Sequence, residues 1–520
     1  MKAGLQFLAS ERVKQATVRN DWQPKLGDKF IRRPRIKLHR LRRVLGIPGL
    51  FSTAYGDLGS SIYYALGLVA LVAMGATPIV LGIAGIFFVF TALSYAEGTA
   101  MLPEAGGSAS FARHGFSDLT GFIAGWALMF GYIVTIAISA YTIPSYLAYF
   151  WEPLKESPVF HTSVSMGIVG LLTLVNVVGV RESSRLNFIL AVFDIATQLL
   201  IIVVALLILF SPAVFWGRVT GYWPSTPNLI FGIAIAAIAF TGVETISQMA
   251  EETRRPQVRA PRALALVAIV VLVIFAGISI AAFSALTPPE LASQWATDPV
   301  AGIAHGLSIA IVPSELAARW FSEPAHQIIA AYFLQALRDL LPVLVALLAA
   351  TILFIATNAG LLGISRLAFS LGRFQLIPPS LSRLHPRSKT PYISIIVFAL
   401  AALVLQIPGF FTSNVFVNLG GLYAFGSMIS FALAHASILA LRIRKPDLPR
   451  PFKLGWNIRI KGRDLPLTAI LGLIGTVAIW IVVVIMQSYS RWVGFGWMAV
   501  GLGAYYLYHR RKAGVSESSG

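Results

Sequence analysis

The sequence contains no cysteine and few charged residues, and both absences narrow the classes of protein that it can encode. Without cysteine, a disulfide framework, a thiolate metal site and a cysteine nucleophile are excluded. Only 12% of the 520 residues are charged, whereas a soluble domain has about 25%. Because 57% are hydrophobic and the mean hydropathy is +0.75, too little polar surface remains for a soluble globule. The composition predicts a polytopic membrane protein.

Enzyme motifs are absent as well. The sequence has neither an HExxH zinc motif nor a GxxxxGK[ST] phosphate loop, and no Ser–His–Asp or paired-carboxylate grouping suggests covalent chemistry. We therefore predict that the protein is not an enzyme, that it has no cofactor or metal site, and that ATP does not power it through its own chain. A proton or a monovalent cation is then the expected coupling ion.

Twelve apolar stretches are long enough, at about 20 residues, to cross a bilayer as helices. Long unbroken runs such as LALVAIVVLVIFAGISIAAF lack the alternation of barrel strands, so the predicted fold is all-α. The predicted spans are 47–73, 78–101, 119–149, 163–180, 186–210, 228–250, 262–286, 340–368, 392–410, 414–441, 466–487 and 492–508. Between spans 7 and 8, the mixed segments near 300–312 and 325–337 are predicted to be short interfacial helices.

Lys and Arg residues fall on alternate connections between these spans. If the N-terminus is cytoplasmic, 36 of the 41 basic residues lie on the inner side. This distribution predicts a multi-pass protein of the plasma membrane, such as the bacterial inner membrane, with both termini cytoplasmic and the lipid bilayer as its surroundings. It also explains the net charge of +19 as membrane orientation, so no nucleic-acid partner is expected.

The same features divide the chain into segments. A basic tail at 1–46 and a basic loop at 442–465 are interpreted as cytoplasmic segments that contact anionic headgroups. The predicted order is the tail at 1–46, a core at 47–441 made of two five-helix repeats (47–210 and 228–441), the loop at 442–465, two accessory helices at 466–508 and a C-terminal tail at 509–520.

Glycines interrupt two of the predicted spans at matching positions. Span 1 contains AYGDLGSS at 54–61 and span 6 contains AFTGVETIS at 239–247, an offset of 185 residues that spans 2 and 7 keep. Five spans separate the two breaks, so the second copy enters the membrane from the opposite side, as in transporters with inverted repeats. Unwound backbone inside a membrane survives only where it lines a cavity. We therefore predict broken helices near 56–61 and 241–245, beside a substrate site.

Carboxylates at membrane depth are the strongest functional candidates, since charge inside a span is costly. Asp57 lies at the first break, Glu244 at the second, and Asp194 in the middle of span 5. We predict that these three carry a coupling proton or cation, although Asp194 also fits a packing hydrogen bond. The predicted substrate site comprises residues at or near the breaks: Tyr55, Gly56, Asp57, Gly59, Ser60, Ser61, Tyr132, Phe240, Thr241 and Gly242.

Four motifs, in order along residues 45–445, resemble those of the amino acid–polyamine–organocation superfamily. They are YAEGTAMLPEAGGSASFARHGF (95–116), GWALMFGYIVTIAIS (125–139), AFTGVETISQMAEETRRPQVRAPRAL (239–264) and TNAGLLGISRLAFSLGRFQLIPPSLSRLHPRSKTP (357–391). The resemblance implies a LeuT-type 5+5 inverted repeat with broken helices 1 and 6, and secondary active transport of an amino acid or a related amine. It also implies that Glu97 and Glu104 order the inner gate and its loop.

Two positions depart from the amino acid permeases of that superfamily. The break in span 1 reads YGDLGSSIYYALG, which is more similar to the YGDIGTSPLYAL motif of Kup-type potassium transporters. Asp194 stands where some permeases have a lysine that replaces a bound sodium ion. Three functions therefore stay open: a proton-coupled amino acid transporter, a Kup-like potassium uptake transporter, and a receptor that binds its ligand without flux.

Overall fold

The computed structural model describes residues 43–179, 184–388, 390–412, 414–460 and 462–517, most of them in helices. Of the predicted basic tail at 1–46, all but residues 43–46 lies outside the described residues. The helices are α1 (Ile47–Leu58), α2 (Ile62–Ala73), α3 (Thr77–Met101), α4 (Ser108–Gly115), α5 (Asp118–Leu147), α6 (Pro153–Glu156), α7 (Pro158–Val178), α8 (Ser184–Ile208), α9 (Pro212–Gly221), α10 (Thr226–Ala236), α11 (Glu244–Gln248), α12 (Pro256–Ala285), α13 (Pro288–Ser293), α14 (Pro299–Ala310), α15 (Pro313–Trp320), α16 (Pro324–Arg373), α17 (Tyr392–Gln406), α18 (Val415–Arg444), α19 (Leu467–Met486) and α20 (Ser488–Glu517).

Short 3₁₀ segments and one small sheet complete the described secondary structure. The 3₁₀ segments are Gly59–Ser61, Met74–Ala76, Ala237–Phe240, Ala250–Glu252 and Ile407–Phe410. The strands β1 (Asn457–Ile460) and β2 (Arg463–Pro466) form an antiparallel hairpin in the basic loop that precedes α19.

Ten stretches of the described chain are long and apolar enough to cross a membrane, or eleven if the bent pair of α14 and α15 is one span. The first stretch, Ile47–Met101, contains α1, α2 and α3, and α2 ends at Met74 with a φ of +44°. Residues next to the two ends of this stretch contact the same segment: Leu45 N–H donates to Glu252 O, and Ala105 N–H donates to the carboxylate of Glu251. The chain therefore reverses at Met74, and predicted spans 1 and 2 are two antiparallel arms.

The predicted last span, 492–508, lies within α20, which is less apolar and is not among these ten stretches. α20 nevertheless packs closely against α5. The rings of Trp126 and Trp497 stack with centroids 4.5 Å apart, and each indole N–H donates to the backbone carbonyl of the other residue. The count of twelve spans stays a prediction.

One prediction for the connection between spans 7 and 8 is wrong. Segment 325–337 is not a separate interfacial helix but the first part of α16, a continuous helix of 50 residues. Pro324 stands in the first turn of α16, where a helix does not need its N–H, and Pro342 inside the helix does not end it. The segment predicted at 300–312 is α14, which meets α15 at an angle of 71°.

Only one of the two predicted helix breaks is open. In span 6 the helix stops at Phe240, Thr241 is extended, and Gly242 has a φ of +113° before α11 begins. In span 1, Gly59 N–H donates to Tyr55 O, so α1 passes through the 3₁₀ segment Gly59–Ser61 directly into α2. The prediction of unwound backbone at 56–61 is wrong, because this segment keeps its backbone hydrogen bonds by tightening to 3₁₀ geometry.

The core of the bundle surrounds α5. Nearly the whole of its most apolar 18-residue window is buried (94%), and it packs against α16 and α18. α7 is the opposite case, because only 28% of its window is buried and Leu174 and Val178 are exposed. A helix that presents large apolar side chains outward is suited to contact with lipid.

Candidate functional site

The break in span 6 lies against Asp57 of span 1. A Cβ atom added at Gly242 would lie 3.1 Å from Asp57 Cγ and 3.1 Å from the backbone nitrogen of Leu58. Thr245 Oγ1 donates to Asp57 Oδ2 at 2.5 Å, and Gly242 N–H donates to Glu244 Oε2 at 3.0 Å. The structure thus brings Asp57 together with Gly242 and Glu244, which follow it in the sequence by about 185 residues.

The site contains two carboxylates that interact with each other. Asp57 and Glu244 are both buried and interact electrostatically. Neither takes part in an ion pair with another described residue. Asp57 Oδ1 is buried and has no hydrogen-bond partner in the described part of the chain. Since a buried charge without a partner is costly, this arrangement favours a bound cation or a proton.

Tyrosines form the wall of the site around Glu244. Tyr95, Tyr132 and Tyr423 are buried, and each interacts electrostatically with Glu244. The hydroxyls of Tyr95 and Tyr132 have no hydrogen-bond partner among the residues that the structure describes. Gly363 of α16 lets the Tyr132 ring approach, because a Cβ there would lie 2.6 Å from a ring carbon. The structure therefore brings Tyr132 close to Glu244, and its role in binding substrate stays a prediction.

A small cavity lies between Thr245 and the second half of α16. Its lining residues are Thr53, Asn187, Thr245, Gln248, Ile355, Ala359, Leu362, Gly363 and Arg366. Gln248 is buried, and neither atom of its side-chain amide has a hydrogen-bond partner among the described residues. Arg366, which also lines the cavity, has its Nε 3.2 Å from Glu252 Oε1. The cavity thus lies between this half-buried ion pair and Thr245, which donates to Asp57.

Sequence reasoning missed Thr245 and Gln248. They follow Glu244 by one and four positions in the motif AFTGVETISQ, so the single turn of α11 carries all three. Polar residues that follow a carboxylate in a sequence do not by themselves indicate that they belong to a binding site. Their position became clear only because the break at Gly242 turns α11 toward Asp57.

Asp194 belongs to a second, separate cluster. Tyr55 Oη donates to Asp194 Oδ2 at 2.7 Å, Tyr63 Oη donates to Oδ1, and Gln198 Nε2 donates to Oδ2 at 2.7 Å. These donors tie α8 to α1 and α2. The structure therefore shows the packing hydrogen bonds that the sequence analysis considered for Asp194, and it directs the Tyr55 hydroxyl to Asp194 rather than to Asp57. A coupling role for Asp194 stays a prediction.

The hydroxyls predicted to hold substrate are engaged within the chain. Ser60 Oγ donates to Asp57 O at 2.7 Å, Ser61 Oγ lies 3.0 Å from Tyr64 Oη, and Thr241 Oγ1 donates to Ile238 O at 2.8 Å. Together with the 3₁₀ geometry of Gly59–Ser61, these bonds leave no open cradle of backbone amides at 56–61. Binding an anionic group there requires this segment to open.

The remaining predicted residues, Gly56, Gly59 and Phe240, are in close contact with neighbouring side chains. Gly56 and Gly59 lie in close contact with neighbours, since Cβ atoms there would meet Ile355 at 3.1 Å and the Tyr55 ring at 2.7 Å. Phe240 stacks on Phe88 with ring centroids 5.2 Å apart. These contacts pack span 1 against α16 and span 6 against α3.

Comparison with known proteins finds a permease family model and several transporters that are similar to this chain. The family model described as Amino acid permease matches residues 45–506. The branched-chain amino acid permease BcaP of Bacillus subtilis is 26% identical over 92% of this chain and 95% of its own length. The methylthioribose transporter of Bacillus subtilis is 23% identical over 88% and 91%, and cationic amino acid transporter 4, vacuolar, of Arabidopsis thaliana is 24% identical over 79% and 65%.

Proposed function

This chain belongs to the amino acid permease family, and from that premise we propose that it is a proton-coupled secondary transporter of an amino acid or a related amine. It is a multi-pass membrane transporter and not an enzyme. The observation that supports the proposed substrate and the proposed proton coupling is the pair of buried carboxylates, Asp57 and Glu244, at the open break of span 6. Among the described residues no cation neutralises them.

The ammonium group of the substrate is the cation that this pair would bind. Asp57 Oδ1 has no protein partner in the described chain, and the unpartnered hydroxyls of Tyr95 and Tyr132 lie around Glu244. An ammonium group donates three hydrogen bonds, so it can satisfy a carboxylate and neighbouring hydroxyl oxygens together. The carboxylate of the substrate would then meet the amides of Gly59–Ser61 once that segment opens.

Proton coupling follows from the same charges. Two carboxylates that share a buried site cannot both stay ionised without a counter-charge, so a proton stabilises the site when the substrate is absent. If this carboxylate pair takes up a proton on one side of the membrane and releases it on the other, transport of the substrate is coupled to the proton gradient. Asp194 is the second candidate for a coupling role, because it too is buried without a cation among the described residues.

Potassium uptake is the competing function, because the span 1 motif resembles that of Kup-type transporters. A dehydrated potassium ion needs a shell of oxygen ligands. In span 1, however, the carbonyls of Gly59 and Ser60 accept the N–H of Ile62, and the carbonyl of Asp57 accepts the Ser60 hydroxyl. These oxygens are therefore directed into the helix, and we favour the amino acid.

We also propose the arrangement that the sequence analysis predicts. The core is a 5+5 inverted repeat with α19 and α20 appended, and the protein lies in the plasma membrane with both termini cytoplasmic. The distribution of 36 of 41 basic residues supports this orientation. In this orientation the cavity beside Arg366 opens toward the cytoplasm.

Uptake by the purified protein in proteoliposomes tests the function. Labelled branched-chain, cationic and small neutral L-amino acids are offered alongside rubidium, with and without an inward proton gradient. We expect one class of L-amino acid to accumulate under the gradient, with competition by the L-isomer and much weaker competition by its D-isomer, its amide and its decarboxylated analogue. Rubidium uptake that no amino acid inhibits would establish the potassium transporter instead, and binding without uptake would establish the receptor.

A further inference from the structure

The β1–β2 hairpin presents large apolar side chains outward. Ile458 and Ile460 alternate along β1 and therefore share one face, with exposed fractions of 42% and 45%. Leu465 lies opposite Ile458 on that face. Trp456, which immediately precedes β1, is 78% exposed. Apolar side chains grouped in this way on a surface indicate contact with a membrane or a partner.

The hairpin is fixed to the bundle through its other face. Arg442 Nη1 donates to Asn457 Oδ1 at 3.0 Å and to Asp464 O at 3.2 Å. Arg442 in turn forms a two-point ion pair with buried Glu97 of α3, with distances of 2.5 and 2.8 Å, and Leu454 N–H donates to the same carboxylate at 2.7 Å. The apolar face therefore cannot turn inward without breaking the hydrogen bonds that Arg442 donates to the hairpin.

The position of the hairpin places it at the level of lipid headgroups. α18 ends at Arg444 and α19 begins at Leu467, so the hairpin connects the ends of two membrane-spanning helices. At that depth, tryptophan and other apolar side chains next to Lys and Arg residues are typical of a protein surface that contacts the membrane interface.

The charge of the hairpin identifies the kind of surface that it fits. Residues 442–466 contain eight Lys or Arg and only two acids, Asp447 and Asp464. Arg459 and Arg463 are exposed, and neither forms an ion pair with another described residue. Segment 1–46 carries 13 basic residues against three acids, so it has the same sign of charge and is not complementary. Anionic headgroups are complementary, with about 1 kcal/mol for each Lys or Arg near the surface.

We propose that the β1–β2 hairpin is a lipid-binding element that docks on the bilayer surface, with Trp456, Ile458 and Ile460 in the interface and Arg463, which lies opposite Ile460 on the same face, on anionic headgroups. Through Arg442 and Glu97 it links the composition of that surface to the end of α3. This inference concerns lipid binding and is independent of the transported substrate.

The absence of cysteine allows a direct test. Ile458→Cys in the full chain is labelled with an environment-sensitive fluorophore, and the protein is reconstituted in phosphatidylcholine vesicles with or without phosphatidylglycerol. Ser293→Cys, at the exposed end of α13, is the matched control for the fluorophore itself. We expect the label at 458, but not at 293, to shift to shorter wavelength and to be quenched by spin-labelled lipid, more strongly with phosphatidylglycerol and less at high salt.

Charge variants in the Ile458→Cys background separate lipid binding from a purely structural effect. Arg463→Gln should lower the ratio of docked to undocked hairpin about fivefold, whereas Arg463→Lys should retain it. Arg459→Gln, on the other face of the hairpin and opposite Asp464, should lower it less. A label at 458 that responds like the one at 293 and ignores lipid charge would overturn the proposal. The label reports position without substrate, so failure of the uptake assay and failure of this test are distinguishable.

Discussion

Asp57 has one carboxylate oxygen bonded to Thr245 and one without a partner in the described chain. We expect Asp57→Asn to abolish accumulation driven by a proton gradient, because an amide can accept the Thr245 hydrogen bond but cannot change protonation state. Loss of a charge-assisted hydrogen bond of about 1.5–3 kcal/mol should also weaken binding of the substrate roughly 10- to 100-fold. Uptake in proteoliposomes, with and without the gradient, measures both effects.

The matched control for this substitution is Asp118→Asn. Asp118 is exposed and pairs with Arg113 at 3.2 Å, so this variant should accumulate substrate as the parent does. Undiminished accumulation by Asp57→Asn would show that coupling does not run through Asp57.

Gly242 is the residue on which the geometry of the site depends. We expect Gly242→Ala to reduce both uptake and stability, since its φ of +113° is strained for alanine by about 1–3 kcal/mol and the new Cβ would meet Asp57 and Leu58 at 3.1 Å. Gly82→Ala is the control, because a Cβ at Gly82 has no neighbour within 4 Å and alanine favours the helix of α3. Thermal unfolding in detergent compares the two, and equal midpoints would contradict the role given to Gly242.

At this scale the sequence predicts which carboxylates matter but not what they bind. Asp57 and Glu244 stood out because acids are rare at membrane depth. The hydrogen bond from Thr245 to Asp57 joins residues 188 positions apart, and no local pattern announces such a pairing. Asp194 also stood out, yet its tyrosine donors Tyr55 and Tyr63 could not be assigned to it until α8 was packed against α1 and α2.

Among the elements, the β1–β2 hairpin depends most on Glu97, whose carboxylate pairs with Arg442 and also lies 3.8 Å from Arg450 Nε. We expect Glu97→Gln to destabilise the protein by about 3–5 kcal/mol, because it leaves the guanidinium of Arg442 buried without a counter-charge. The double variant Glu97→Gln with Arg442→Met should recover part of that loss, since it removes both buried charges. Thermal unfolding in detergent measures the series.

Asp464→Asn serves as the control on the same hairpin. The pair of Lys453 with Asp464 is about half exposed at both side chains, so its loss should cost less than about 1 kcal/mol. If Glu97→Gln were as mild as Asp464→Asn, the ion pair would not be what fixes the hairpin.

The sequence predicts a helix wherever an apolar run is long enough to cross the bilayer, as in α12 and α19. It does not predict the elements that lack such a run. The hairpin strands are four residues each, too short for periodicity to reveal, and they are held by Arg442 from another element. The continuity of α16 was missed because a mixed composition at 325–337 indicated an interfacial helix, while the helical backbone simply continues through Pro342.

For the molecule as a whole, hydropathy and the distribution of basic residues together predict the path of the chain. The ten apolar stretches of the described chain follow the first eleven predicted spans, and both ends of the Ile47–Met101 stretch contact the segment that follows α11. The orientation that the basic residues indicate stays a prediction. The last helix is where composition alone is insufficient. α20 is less apolar than the ten stretches, yet its contacts with α5 stack Trp497 on Trp126.

Because the chain has no cysteine, single-cysteine variants can test whether α20 crosses the membrane, together with the other predicted crossings. Its 30 residues extend about 45 Å, enough to cross a hydrocarbon core of about 30 Å, and Lys512 near its end donates to Gln375 just after α16. We therefore expect Ser293→Cys and Ser488→Cys to react with a membrane-impermeant maleimide in intact cells. Lys445→Cys and Lys512→Cys should react only after permeabilisation, because both lie on the predicted cytoplasmic side. Labelling of Lys512→Cys in intact cells together with Ser488→Cys would mean that α20 lies along the surface, and the protein would then have an odd number of crossings with its C-terminus outside.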